Sequence, residues 1–525
     1  MTPLRNLWSL ALVVGLFACS TGETGEIREI TDPAPATRAL AEPTHEASGR
    51  PVIVELPVTR AGAVARALLD AINGGDEAQL RALFEERLSA AARAAAPLEL
   101  WLAFCRDLGV NGGGLDVVRV DPLASGADVV RFHVRARRAD RYVVMVLRVD
   151  DLDQIAEIEV HPAADPATEA DVLPDVAMAE DDAVRAIERR LRILAAADRF
   201  SGAVLVAKGD RVLVRAAYGL ADHAFAVANR VDTKFNLGSM NKMFTAVAVG
   251  QLVEAGKLSF TDTLAEVLPD YPNQAFARAA TIHHLLTHTS GIGGTAFPPE
   301  LFEQRDRYRR PADYLPLFAD EAPLFPPGAR FEYANHGYLV LGLVIERLSG
   351  QDYDDYVREH VFEPAGMRDT AARAWDEVTP NLAVGYMRGP ADPLGLQPRR
   401  TNVSMLPFRG SPAGGGYSTV DDLLAFAHAL RDHRLVGAAM LETLTAPKVE
   451  TPWKDPARRY GYGFLSHHRN GREIRGHGGG APGINGELQI FQDGSYTVAV
   501  LGNYDHPNAL AVADEISAFL ARQAP

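Results

Sequence analysis

Apolar residues at Val64, Leu68, Leu69 and Ile72 fall on one helical face. Asn73-Gly74-Gly75 ends that helix, and Asp76 with Gln79 is placed to cap the next in a loose capping box. Period-two alternation follows at Leu115 to Val120, Val129 to Arg137, Tyr142 to Val149 and Ile155 to Val160. Helices followed by a strand meander make residues 58–162 a small α+β domain. From Asp181 the pattern changes. Ala183, Ile187, Leu191 and Leu194 predict a helix. Ala203 to Ala207 and Val212 to Ala216 flank Lys208-Gly209-Asp210, and Gly486 to Phe491 and Tyr496 to Leu501 flank Asp493-Gly494; each is a hairpin whose Gly supplies positive φ. A helix from Ala509 to Arg522 follows. Strands at both ends of 181–525, with a long helical middle, imply an α+β domain. Its antiparallel sheet is built from both termini and flanked by helices.

The segments outside these two domains have no apolar period. Residues 163–180 are rich in Pro, Ala and Asp and read as a linker. Residues 20–57 are rich in Thr, Glu, Pro and Ala and read as a flexible tether. Ahead of them, Arg5 precedes a short apolar run from Leu7 to Leu16. Ten helical residues, at about 1.5 Å each, cannot cross a hydrocarbon layer of about 30 Å, so residues 1–19 read as an export signal. Leu16-Phe17-Ala18-Cys19 resembles a bacterial lipobox, which implies lipidation of Cys19 and a membrane contact through that anchor. Phe17 is less usual there, so plain signal-peptidase cleavage stays open. Ser20 in place of Asp favours, by the same resemblance, a periplasm-facing outer-membrane lipoprotein, with a soluble periplasmic or secreted protein as the alternative.

The length of 525 residues suits two globular units and a tether. The formal net charge of −15 argues against nucleic acid as a partner, because phosphate binding needs a basic surface. The two cysteines, Cys19 and Cys105, cannot build a disulfide framework. Cys105 ends the apolar run Leu100-Trp101-Leu102-Ala103-Phe104-Cys105 and reads as a buried small hydrophobe.

Three stretches carry candidate chemistry. Phe235-Asn236-Leu237-Gly238-Ser239-Met240-Asn241-Lys242 opens a long apolar helix running through Leu252. Ser239 falls in its first turn, and Lys242, three residues on, projects from the same face. A hydroxyl needs a base within hydrogen-bond reach, and a lysine in an apolar pocket can lose its proton and serve. In Pro327-Gly328-Ala329-Arg330-Phe331-Glu332-Tyr333-Ala334-Asn335, Tyr333 precedes a helix starting near Gly337. Its phenol becomes a usable base if neighbouring ammonium groups lower its pKa. Gly476-His477-Gly478-Gly479-Gly480, just before a strand pair, lets a ligand approach the backbone and offers N–H groups to an oxyanion.

Ser-x-x-Lys, Tyr-x-Asn and His-x-Gly in this order resemble the β-lactamase-like serine hydrolases: class C β-lactamases, D-Ala-D-Ala carboxypeptidases, D-aminopeptidases and related esterases. Further segments carry the resemblance: Thr281-Ile282-His283-His284-Leu285-Leu286-Thr287-His288-Thr289-Ser290-Gly291, Pro364-Ala365-Gly366-Met367, and Ala413-Gly414-Gly415-Gly416-Tyr417-Ser418-Thr419. The resemblance covers about residues 181–522 and implies the β-lactamase/transpeptidase-like fold with no cofactor. It implies that Ser239 forms an acyl-enzyme while Lys242 and Tyr333 relay its proton. Asn335 would orient substrate and Lys242. The N–H groups of Ser239 and Gly480, beside Gly479, would form the oxyanion hole, and His477 would line the opposite wall. Many true β-lactamases carry Lys where His477 stands, so carboxylate recognition is expected to be weaker or pH-dependent. The layout of 58–162 resembles an NTF2-like cone, without convergent polar residues.

His283, His284 and His288 invite a zinc reading, but no Glu follows His284 in an H-E-x-x-H pattern, and the resemblance makes this segment a structural helix and turn. The expected function is hydrolysis of a D-amino-acid peptide, amide or ester in the cell envelope, with a small-molecule or peptide, peptidoglycan-derived substrate. A β-lactamase and a non-catalytic envelope binding protein are the alternatives. The sequence leaves the oligomeric state open.

Overall fold

Thr59 starts the first helix, α1 (Arg60–Gly74), by accepting the Gly62 N–H, and Gly75 ends it in the left-handed conformation at φ 68°. Asp76 caps α2 (Glu77–Arg87) through the Ala78 N–H. The cap is one-sided, so Gln79 does not complete the expected box. Helices α3 (Ala90–Ala95) and α4 (Leu98–Gly112) follow. A four-stranded antiparallel meander comes next: β1 (Leu115–Val120), β2 (Val129–Ala136), β3 (Arg141–Val149) and β4 (Ile155–Ala163). Val64, Leu68 and Ile72 of α1 pack with Phe84, Trp101 and Cys105 on Val130, Phe132, Val134 and Met145. Burial pushes the Cys105 thiol up to about 12, which leaves it unreactive.

This computed structural model describes residues 54–138, 141–163, 172–388, 398–454 and 457–524. The described residues divide into two compact units, 54–163 and 172–524. The signal, Cys19 and the tether up to residue 53 lie outside the described residues. Residues 54–57 belong to the first unit rather than to a tether: the Val54 N–H bonds the Val117 carbonyl at 2.9 Å and Leu56 is buried. Part of the expected linker is likewise tied down in the second unit. Leu173 and Met178 pack against its core, and their N–H groups reach Glu515 and Gln523.

The second unit opens with α5 (Glu180–Ala196), then β5 (Gly202–Lys208) and β6 (Arg211–Tyr218). Its long helices are α6 (Asn241–Glu254), α7 (Asn335–Ser349), α8 (Val420–Arg431) and α9 (Ala438–Thr445). Strands β7 (Val449–Lys454), β8 (Ala457–Tyr460), β9 (Leu465–Arg469), β10 (Arg472–Ala481), β11 (Ile484–Phe491) and β12 (Tyr496–Gly502) precede a final helix, α10 (Asn508–Leu520). All eight strands pair antiparallel in the order β7-β8-β9-β10-β11-β12-β5-β6. The amino-terminal hairpin thus joins the carboxy-terminal strand, with β6 as one edge of the sheet and β5 and β12 as interior strands.

Both faces of these two interior strands are covered, which is why β5 and β12 are apolar without alternation. Ala203, Leu205 and Ala207 face the helical core built on α6, whereas Val204 and Val206 face α5 and α10. Helix α6 is apolar all round and correspondingly buried almost all round, from Asn241 to Gly250. The site is positioned by this helix, whose first turn abuts the one stretch where β10 loses a neighbour. Strand β9 pairs with β10 only as far as Gly476, so His477 to Ala481 are paired on the β11 side alone.

Candidate active site

Ser239 lies in a short 3-10 turn, Gly238–Met240, that runs directly into α6, rather than in the α-helix itself. Gly238 reaches the left-handed region at φ 50°, which turns the chain sharply from the preceding strand into the helix. The loop 411–416 clasps this turn. The Gly415 N–H bonds the Gly238 carbonyl at 3.0 Å, the Leu237 N–H bonds the Gly416 carbonyl at 2.7 Å, and Asn241 bridges Ser411 and Gly416.

One helical step on, Lys242 is fully buried. Its Nζ lies 2.8 Å from Asn335 Oδ1, 2.6 Å from the Ala413 carbonyl and 3.1 Å from Ser239 Oγ. Burial alone holds the ammonium well below the usual lysine range. A neutral amine has two N–H donors and one lone pair. Asn335 and Ala413 offer only acceptors and take the donors, so the lone pair faces the Ser239 hydroxyl. That arrangement can accept the serine proton as the oxygen attacks a carbonyl.

Tyr333 stands beside Ser239, whose hydroxyl bears on the phenol and lowers its pKa, and its ring lies 4.9 Å from Lys242 Nζ. Burial raises this phenol above its ordinary value, the reverse of the lowering expected from ammonium neighbours. The reason is that Lys242 is itself driven toward neutrality. An uncharged amine and a protonated phenol therefore flank the serine, one able to take a proton and the other to give one. Asn335 is the first residue of α7, two positions earlier than the helix start expected near Gly337, and this fixes its side chain toward Lys242.

The glycine-rich stretch lies within β10 itself rather than ahead of a strand pair. A Cβ on Gly479 would meet the Leu237 carbonyl oxygen at 1.9 Å and stand 3.0 Å from the Ser239 nitrogen; one on Gly238 would stand 3.0 Å from the Gly480 nitrogen. Only glycine permits the serine turn and the strand to approach this closely. The approach brings the amides of Ser239 and Gly480 together where an oxyanion could be held.

His477 behaves differently from the expectation of a pH-dependent cation. It is 3% exposed, and both ring nitrogens are engaged. Nδ1–H donates to the Gly478 carbonyl at 2.5 Å, so Nε2 accepts from the Tyr460 hydroxyl at 2.8 Å. Burial is the chief cause that pushes its pKa down to about 3. At neutral pH this side chain is an uncharged brace inside the wall.

Sequence reasoning missed His288, Ala413 and Tyr460. His288 is buried with φ 58°. Its Nδ1 accepts the Ala334 N–H at 3.1 Å, its carbonyl accepts the Glu332 N–H at 2.8 Å, and its ring stacks on Tyr333 at 4.2 Å. Burial holds the imidazole neutral. His288 is thus a positioning residue for Tyr333, clasping the backbone on both sides of it. The signal was present in His288-Thr289-Ser290-Gly291, but its partner is some 45 positions away. His283 and His284 turn elsewhere, to Tyr462 and to the Thr281 N–H. Among the described residues no group of three or more His, Cys, Asp or Glu side chains could hold a metal. His288→Ala is expected to lower kcat roughly 10- to 100-fold with a smaller change in KM, because a misplaced catalytic group mainly affects the transition state. His288→Asn, which keeps an acceptor for Ala334, is expected to recover part of the loss; steady-state kinetics on the three proteins checks this.

The model of the Beta-lactamase family matches residues 184–523. Penicillin-binding protein 4 of Amycolatopsis lactamdurans is 30% identical over 315 residues, 58% of this chain and 80% of that protein. Esterase EstB of Burkholderia gladioli is 33% identical over 270 residues, 44% of this chain and 66% of the esterase. The crystal structure of a penicillin binding protein from Bacillus halodurans superposes with a TM-score of 0.55 at 33% identity, covering 64% of this chain and 98% of that one.

Proposed function

This chain belongs to the beta-lactamase family and is a serine hydrolase of it, and on that premise we propose that it cleaves uncharged esters or amides, including those of D-amino acids, through an acyl-enzyme on Ser239. The observation that carries this reading is the buried Lys242 amine, with two acceptors on its N–H groups and its remaining position on Ser239 Oγ. In acylation the Ser239 oxygen bonds the substrate carbonyl carbon and its proton passes to Lys242. The amides of Ser239 and Gly480 stabilise the oxyanion. The carbonyl–leaving-group bond then breaks, and the Tyr333 phenol protonates the departing oxygen or nitrogen. Lys242 and Tyr333 thus relay one proton between them, and neither acts as sole base. Water then takes the place of the leaving group, releasing the acid and restoring the serine. Asn335 holds Lys242 through Oδ1, and its NH₂ is the group it would offer a substrate.

The uncharged state of His477 supports neutral substrates over those that carry a carboxylate beside the scissile bond. It lowers the expectation of a β-lactam, whose carboxylate gains no charge partner from this side chain. The esterase relative supports the ester branch, and a D-stereospecific amidohydrolase from Streptomyces sp., 26% identical with a TM-score of 0.52 over 64% of this chain, supports the amide branch. A fluorescent phosphonate tests the proposal: stoichiometric labelling that maps to the Ser239 peptide and is lost in Ser239→Ala is expected, and equal labelling of both proteins refutes it.

The envelope setting is part of the same proposal and rests on the first 19 residues. In cells fed an alkyne-tagged fatty acid, the full-length protein is expected to acquire the tag and fractionate with membranes, and Cys19→Ser to do neither. A tagged Cys19→Ser protein contradicts the assignment of the anchor.

A further inference from the structure

Trp453 projects from β7 with 40% of its surface exposed. Its ring centroid lies 5.9 Å from that of Tyr333 at an interplanar angle of 64°, and 5.6 Å from that of Phe331 at 80°. Phe331 in turn packs near His288 and Tyr460, at 5.8 and 6.0 Å. An aromatic surface therefore runs outward from the phenol that touches Ser239 to a partly solvent-exposed indole. Large aromatic side chains left half in water beside a reactive group have one open face to offer.

The chemistry assigns that face. A leaving atom must come within hydrogen-bond reach of the group that protonates it. Lys242 is fully buried, with its hydrogen-bonding positions taken by Asn335, Ala413 and Ser239, whereas Tyr333 is only half-buried. The departing oxygen or nitrogen therefore sits at Tyr333, and whatever it carries lies along the outer side of Tyr333, where Phe331 and Trp453 stand edge to face. The acyl portion stays on the far side of the carbonyl and does not share this wall.

Resting on the acyl-enzyme reading above, we propose that Trp453 and Phe331 form a leaving-group subsite that takes an aromatic alcohol or amine. In the step concerned the Ser239–acyl bond forms, the carbonyl–oxygen bond of the ester breaks, and the aromatic alcohol departs with the proton from Tyr333. Trp453 is then a specificity-determining residue for acylation. It has no part in deacylation, when the leaving group has gone.

Two butanoate esters with alcohols of similar acidity, ethyl and 2-phenylethyl, test this, with stopped-flow acylation and deacylation rates measured for wild type, Trp453→Ala and Trp453→Phe. Trp453→Ala is expected to reduce the preference for the 2-phenylethyl ester about tenfold, the scale of one lost apolar contact in a specificity pocket. The loss is expected in acylation, with Trp453→Phe recovering most of the preference. An equal fall for both esters, or a fall of the same size in deacylation, overturns the subsite and makes Trp453 a support for Tyr333. A wild-type protein that forms no adduct on Ser239 with either ester overturns the hydrolase reading itself, and the subsite with it.

Discussion

Lys242→Met is expected to abolish turnover, with acylation reduced roughly 10⁴-fold, and at the same time to make the protein more stable at neutral pH. Both effects come from one fact, the full burial of the amine. Removing the lone pair that faces Ser239 Oγ removes general-base help, and groups that act as one catalytic unit fall together. Methionine fills the same volume without the desolvation cost. The pH dependence follows from the direction of the shift. Folding lowers the Lys242 pKa below its ordinary value of 10.5, so the folded chain releases this proton at a lower pH than the unfolded chain does. Between the lowered value and 10.5 the unfolded state binds more protons, and wild-type stability rises with pH there, by up to about 1.4 kcal/mol per unit. Lys242→Met lacks that slope. Activity needs the neutral amine, so its acid limb is expected well below 10.5. Denaturant melts across pH 6 to 10, together with acylation rates, check both halves.

Gly479→Ala is expected to cost about 10²–10³ in kcat, the scale of one lost oxyanion donor. The added methyl would stand 1.9 Å from the Leu237 carbonyl oxygen, a backbone atom held by the turn that carries Ser239. Neither the strand nor the turn can yield cheaply, since the loop 411–416 clamps the turn from behind. The strand must therefore move away and take the Gly480 amide with it. Overpacking of this kind also destabilises by about 1–3 kcal/mol. The variant is expected to keep some phosphonate labelling, because the serine and its amine remain in contact, while losing turnover. Labelling at the wild-type rate together with wild-type kcat contradicts the close approach.

The fold was legible where local chemistry fixes geometry. Gly209 and Gly494 mark two hairpin turns with positive φ, and the unbroken apolar runs at Ala203 to Ala207 and Tyr496 to Leu501 mark interior strands covered on both faces. Ser239, Lys242, Tyr333 and Asn335 were readable as motif residues, and the structure brings them together around one hydroxyl. What local patterns could not carry were long-range and backbone effects. The Ala413 carbonyl that binds Lys242 has no side-chain signature. His288 takes its role from a left-handed backbone angle and an amide 46 positions on. His477 was read by its residue type, but its charge is set by burial, and its Nε2 is taken by Tyr460, which a different strand supplies. Trp453 was invisible for the same reason: nothing near it in sequence says that it meets Tyr333. Residues 54–57 and 172–179 lack any period, yet single apolar anchors, Leu56, Leu173 and Met178, are enough to fasten them.

The account turns on the amine of Lys242 being uncharged beside the serine at neutral pH. The chain has only six lysines, at positions 208, 234, 242, 257, 448 and 454, so a ¹³Cε-lysine NMR titration resolves this residue directly, assigned by the signal lost in Lys242→Met. The Lys242 resonance is expected at the neutral-amine position at pH 7, with its titration well below that of the exposed lysines. A Lys242 signal that stays protonated at pH 7 and titrates near 10.5 contradicts the mechanism proposed for Ser239.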